Sequence, residues 1–232
     1  APLPSVSALR QLSVGHGYRH VRVFGSNRSK SEDAAEAFER DDTLVIVLAD
    51  GAGGIRGGAT ASAALVAVVR SAVADMSFTL HDAQQWADLF TVADQALAKN
   101  QVGETAGVVV ALGPRGLIGV STGDSEAWVV TATEIDDLTA GQHTKRRLGS
   151  GRVTPAVFGR PPLVGTLLVG SDGLVKQAAM NVIAGVVRAS PIGVAAERLI
   201  ELARLPSGKF ADDVAVVLVS GNPVPQQSLA SS

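Results

Sequence analysis

Val45-Ile46-Val47-Leu48-Ala49-Asp50-Gly51-Ala52-Gly53-Gly54 decides how this chain is read, because an unbroken apolar run ends in one carboxylate and glycines follow at once. A branched apolar run this short fits a strand covered on both faces better than a helix. Such a strand delivers Asp50 to its end, and the glycines remove side chains that would keep a ligand away from the backbone. A strand closing in an ordinary Asp-Gly turn is the plainer alternative. The two are separated by whether other carboxylates end other strands in the same way.

They do. Residues 166–170 form a second apolar strand that runs into Ser171-Asp172-Gly173, and Phe210-Ala211-Asp212-Asp213 opens a last strand over 214–219. Asp124 lies in Gly123-Asp124-Ser125, a break between strands at 117–120 and 127–131 that is not an obvious hairpin. The strands 108–112 and 117–120, by contrast, are joined by the turn former Gly113-Pro114-Arg115-Gly116. Upstream, residues 20–24 alternate as a strand and lead into a polar loop, 25–31, that carries Arg28 and is followed by Glu32 and Asp33.

Helices are expected at 59–74 and at 83–99, where Trp86, Phe90, Ala93 and Leu97 recur at three- and four-residue steps. Two more are expected at 175–189 and 194–204, the second stopped by Pro206. Between 133 and 165 the pattern dissolves into polar sequence with Lys145-Arg146-Arg147 and Arg160-Pro161-Pro162, a flap-like excursion that is long for a structureless loop. Residues 221–232 read as a flexible tail, and 1–220 as a single domain. Strands grouped together with helices inserted in pairs do not alternate as in a doubly wound fold, so the expected class is α+β with antiparallel sheets.

Composition narrows the function. The chain of 232 residues has a formal net charge of −2 and no basic face or tail, which argues against a nucleic-acid partner. It has no cysteine, which excludes disulfide frameworks and thiolate chemistry. Apolar stretches fall short of the roughly 18 residues of a membrane span, and no basic-then-apolar leader is read at the start, so a cytoplasmic protein without membrane contact is expected.

Asp50, Asp124, Asp172 and Asp212 thus share one context, the edge of a sheet. Two unit charges about 4 Å apart repel by roughly 4 kcal/mol at an effective dielectric of about 20. If the strand ends converge with no lysine or histidine run nearby, a cation is needed. Oxygen ligands without cysteine or paired histidines suit magnesium or manganese rather than zinc.

These motifs also carry a resemblance. Arg28-Ser-Lys-Ser-Glu32-Asp33, Asp50-Gly51-Ala52-Gly53-Gly54, Gly123-Asp124-Ser125, Ser171-Asp172-Gly173 and Asp212-Asp213-Val214 are similar, in order and context, to the metal-dependent protein serine/threonine phosphatases of the PPM (type 2C) family, over about residues 18 to 220. Each motif alone is common, and five in order are specific. The resemblance implies a four-layer α-β-β-α sandwich, two central antiparallel sheets flanked by helix pairs, with a binuclear Mn2+ or Mg2+ site at one end. It implies that Asp50 bridges the two metals, that Asp172 and Asp212 complete one, and that Glu32 and the Gly51 carbonyl serve the other. Asp33 would orient metal-bound water, and Arg28 would grip phosphate in its planar fork. For bacterial members a third, weaker metal is implied at Asp124 with help from Asp172.

The activity implied is hydrolysis of phosphoserine and phosphothreonine on proteins by a metal-activated water, opposing a serine/threonine kinase. A phosphatase-fold module that binds without turnover is the alternative. The chain departs from the family at Gly103-Glu104-Thr105, where Gly-Thr-Thr is usual, and at Glu126, where arginine is frequent. Among the histidines, the His16/His20 pair is broken by Gly17 and His143 reads as a surface residue, while Trp86 and Trp128 read as core. Lys145, Arg146 and Arg147 read as a solvated charge run.

Overall fold

Strand β4 (Thr43–Ala52) shows how the sequence builds its layers. Alternate side chains of a strand point to opposite faces. Leu44, Ile46 and Leu48 pack with Val108, Val110, Leu167, Val169 and Val217, whereas Val45, Val47 and Ala49 pack with Leu65, Val69, Trp86 and Phe90. Both faces are apolar because both are covered, and each fully buried Val, Leu or Ile contributes about 1.5–3 kcal/mol relative to exposure.

The computed structural model describes residues 5–9 (backbone only), 17–52 and 57–221. In chain order they form β1 (Ser5–Leu9), β2 (Tyr18–Ser26), β3 (Ala34–Arg40), β4, α1 (Gly58–Ala74), α2 (Ala83–Asn100), β5 (Glu104–Gly113), β6 (Gly116–Thr122) and β7 (Glu126–Val130). They continue with β8 (Ile135–Asp137), β9 (Ala156–Arg160), β10 (Thr166–Gly170), a single helical turn α3 (Asp172–Val175), α4 (Met180–Arg188), α5 (Ile192–Leu202) and β11 (Val214–Gly221). One sheet has the order β1-β2-β11-β10-β7-β8 and the other β3-β4-β5-β6-β9, with every pairing antiparallel.

The sheets face each other across one apolar layer. Helices α1 and α2 cover the outer face of the second sheet, and α4 and α5 cover that of the first, where Ile183, Val187, Leu199 and Ile200 meet Val214, Val216 and Leu218. This is the four-layer α-β-β-α sandwich. Trp86 and Trp128 are both in the core, the first donating its ring N–H to the Leu80 carbonyl at 2.9 Å.

Two expectations change, and one strand appears that the sequence did not announce. The excursion at 133–165 is not structureless, since β8 adds an edge to the first sheet and β9 an edge to the second. Strand β9 escapes notice because Phe158 is its one buried residue. The helix expected at 175–189 is divided into α3 and α4, and β3, with the small Ala35 and Ala37 on its inner face and Glu36 between Ala34 and Phe38 on its other, carries too weak a pattern to announce a strand. His16, Gly53, Gly54 and the tail from 222 lie outside the described residues.

Candidate metal centre

The register of the sheets gathers the carboxylates. Asp50 has the parity of Leu44, Ile46 and Leu48, so it continues the face that lies between the sheets. Asp33 precedes β3 with the parity of Ala35, and Asp213 precedes β11 with the parity of Ala215, Val217 and Val219. All three are buried, and they arrive at one end of the inter-sheet layer from two different sheets. Asp124 lies in the crossing from β6 in one sheet to β7 in the other, which is why its motif is not a hairpin. Asp172 opens the helical turn after β10.

Two glycines permit this approach. A Cβ on Gly51 would lie 2.5 Å from the Gly58 backbone and 2.6 Å from the Glu32 carbonyl oxygen, so β4 can touch the start of α1 and the Glu32 segment only without a side chain there. A Cβ on Gly173 would fall 2.0 Å from the Asp213 carbonyl oxygen, so α3 seats against the start of β11 for the same reason.

Asp50, Asp124 and Asp172 each offer a carboxylate oxygen, and the three atoms lie within 4.8 Å of one another. At that spacing each pair of charges repels by roughly 3–4 kcal/mol at an effective dielectric of about 20. The Asp172 backbone N–H donates to Asp50 Oδ2 at 3.3 Å, and the Thr105 hydroxyl donates to the Asp50 carbonyl at 2.9 Å. Burial, and then the Asp172 charge, push the Asp50 carboxyl up to about 7. Asp33 is held well above the usual carboxylate range by burial first and the Asp50 charge second, and its Oδ2 has no hydrogen-bond partner among the described residues.

Arg28, Glu32 and Asp213 adjoin this group. Arg28 pairs with Glu32 and lies 3.7 Å from Asp213 Oδ2. Asp213 organises the loop that carries them, accepting the Ser26 hydroxyl at 2.5 Å and the Glu32 backbone N–H at 2.7 Å. Asp212 lies outside the acidic trio, on the Arg28 side of the site. It is exposed, one residue out of step with the inward face, and its Oδ1 accepts the Asp213 N–H at 2.8 Å.

The carboxylates are also not bare of cations, contrary to the expectation from sequence. Lys176 Nζ lies 2.6 Å from Asp172 Oδ2 and 3.0 Å from Asp124 Oδ2. The hydrogen bond to Asp172, above all, raises this ammonium further beyond the lysine range. Arg147 Nη2 donates to both Asp124 oxygens at 3.1 Å, so it is not part of a solvated charge run, although Lys145 and Arg146 are exposed. Of the residues that sequence reasoning missed, Lys176 was signalled by its four-residue step from Asp172 on a helical turn and Asp213 by its parity with β11. Arg147 had no local signal. His143 is exposed, and Glu126 accepts the Trp128 ring N–H at 2.9 Å.

No protein-family model matches the chain, and no curated protein does. Solved structures do. The catalytic domain of the serine/threonine protein phosphatase PstP in complex with two manganese ions is 23% identical, with a TM-score of 0.73 over 88% of this chain and 97% of that one. The serine/threonine phosphatase PstP/Ppp of Mycobacterium tuberculosis is 22% identical, with a TM-score of 0.74 over 88% and 99%. Stp1 of Staphylococcus aureus, also a serine/threonine phosphatase, is 22% identical, with a TM-score of 0.75 over 91% and 98%. What these similarities establish for this chain is the fold, an antiparallel α-β-β-α sandwich shared along nearly the whole length of bacterial serine/threonine phosphatase domains.

Proposed function

We propose that this chain is a metal-dependent phosphatase of the PPM family that hydrolyses phosphoserine and phosphothreonine on proteins, opposing a serine/threonine kinase. The observation that carries the reading is the convergence of Asp50, Asp124 and Asp172 at one end of the inter-sheet layer. The donor set fits Mn2+ or Mg2+, since it consists of carboxylate oxygens, the chain has no thiol, and the group includes no histidine. The partnerless buried Asp33 Oδ2 beside Asp50 suits the same reading.

Asp50 and Asp172 would hold two ions, with Glu32, the Gly51 carbonyl and Asp212 as further donors. When bound, such a pair supplies Lewis-acid stabilisation of phosphoryl charge and a more acidic water. The protein's own part is binding and orientation. Asp33 would fix the direction of a water hydrogen bond from its buried position, and Arg28 would exchange Glu32 for two phosphate oxygens, a bidentate contact that lysine does not reproduce.

The test is an assay on phosphoserine and phosphothreonine peptides with Mn2+, with chelator, and with Asp50→Asn. Turnover should require the metal, and Asp50→Asn should reduce it by on the order of 10²-fold or more, beyond the cost of losing an outer partner of a metal ligand. Hydrolysis that survives chelation, or an Asp50→Asn enzyme near native activity, would sink the reading.

A further inference from the structure

Asp124 differs from its two neighbours in how its charge is met. Its carboxylate faces two tethered cations, Arg147 through one nitrogen to both oxygens at 3.1 Å and Lys176 at 3.0 Å. Asp172 shares the Lys176 ammonium, at 2.6 Å. Among the described residues Asp50 has no direct ion pair, and it receives the Asp172 backbone N–H instead. Among the described residues, three carboxylates meet two side-chain cations, and the cations are not shared evenly.

Both cations are held in place by the fold. Lys176 follows Asp172 by one helical turn, so the two are neighbours on the same face. Arg147 precedes Leu148, which exchanges both backbone hydrogen bonds with Thr105 at 2.9 and 3.0 Å, and Thr105 in turn bonds the Asp50 carbonyl. A tethered ion competes at an effective concentration set by its short linkage, which a free ion in solution has to match. A divalent ion entering the gap between Asp124 and Asp172 must therefore displace an ammonium already within hydrogen-bond distance of both.

We propose that Lys176, assisted by Arg147, is the resident cation of the Asp124–Asp172 gap and stands where a divalent ion would otherwise bind, restricting metal to the Asp50 side of the centre. The proposal rests on the metal-dependent reading above and deepens it. Asp124 then acts as the anchor of two cations rather than as a metal ligand, and Lys176 sets the number of ions the chain holds.

The experiment counts Mn2+ per chain by equilibrium dialysis with elemental analysis, and measures affinities by calorimetry, for the native chain, Lys176→Met and Lys176→Arg. Lys176→Met is expected to hold one more Mn2+ than the native chain, or to bind its weakest Mn2+ at least tenfold more tightly. Lys176→Arg is expected to match the native count. An unchanged count and unchanged affinities in Lys176→Met would overturn the proposal while leaving the metal reading intact. A native chain that binds no Mn2+ would overturn both. Anomalous diffraction from native crystals soaked in Mn2+ gives a measurement that needs no variant: density beside Asp50 with none between Asp124 and Asp172 supports the proposal, and a peak in that gap refutes it.

Discussion

Arg28 is already engaged: its guanidinium pairs with Glu32 and lies 3.7 Å from Asp213, with about half of the side chain exposed. An arginine placed this way meets carboxylates through the same planar fork that would meet a phosphate, so binding exchanges one anion for another rather than building a new contact. Lysine preserves the charge and loses the fork. Arg28→Lys is therefore expected to lower kcat/KM on phosphopeptides by on the order of 10², the usual cost of removing one oriented donor from a developing anion. Mn2+ binding should be unchanged. Steady-state kinetics beside a metal titration checks this, and a variant with native kcat/KM would remove Arg28 from the site. The neighbouring pair Asp212 and Asp213 shows what residue identity alone cannot convey. Two aspartates stand side by side, and only the parity of β11 directs Asp213 inward to Ser26 and Glu32 while Asp212 is left exposed.

At the scale of elements, the segment 147–153 is held by a side chain from a helix on the opposite side of it in sequence. Asp94 of α2 is buried and accepts the backbone N–H groups of Gly149 and Gly151 on one oxygen, at 2.8 and 2.9 Å, and that of Val153 on the other at 3.2 Å. Asparagine keeps one acceptor oxygen and turns the other position into a donor facing the Val153 N–H. Asp94→Asn is expected to cost about 1–3 kcal/mol of stability, the range for leaving buried polar groups unsatisfied. Urea unfolding measures it, and a loss below about 0.5 kcal/mol, the scatter of ordinary surface substitutions, would show that the segment does not depend on Asp94. This anchoring was not legible in the sequence, because Asp94 sits in an amphipathic helix at an ordinary spacing and its partners are backbone groups. What was legible were elements with strong local patterns: β4, β5, β10 and β11, whose apolar runs are covered on both faces, and α1 and α2. Strands β3, β8 and β9 were not, since each is short or small-residued and lies at a sheet edge, where pairing rather than composition defines it. The site was legible to the same degree. Asp50 and Asp172 end apolar strands, so their convergence could be expected from sequence, whereas Arg147 meets Asp124 across 23 residues, a pairing that only the folded sheets create.

At the scale of the whole molecule, the sandwich gathers the buried carboxylates Asp33, Asp50, Asp172 and Asp213 at one end of its innermost layer, and this is expected to couple stability to pH and to metal. Stability rises with pH where the unfolded chain binds more protons than the folded one, and falls where the reverse holds. Asp50 goes from an ordinary value of 3.8 to about 7 on folding, so between these pH values the folded chain is the one that binds the extra proton. Its contribution therefore falls as pH rises from about 4 to about 7, and Asp33, raised in the same direction, adds to the fall. The full displacement of Asp50 is worth at most about 4 kcal/mol. His20 acts oppositely: burial lowers it from 6.5, so its contribution is present above that value and is lost as pH drops below it. The two effects separate by comparison with Asp50→Asn, which removes the first and retains the second. In chelator, the native chain is expected to lose stability relative to Asp50→Asn as pH rises from about 4 to about 7. Mn2+ should reverse the order, because an ion that binds only the folded chain adds about 2.7 kcal/mol at a hundred times its Kd. For a domain of this size that is roughly 5–10 °C in Tm. Thermal melts of both proteins across this pH range, with chelator and with Mn2+, measure all of these quantities. Parallel curves in chelator would mean that Asp50 is not strained by its neighbours. A native Tm indifferent to Mn2+ would mean that the carboxylates gathered at this end of the sandwich are not there to hold a metal.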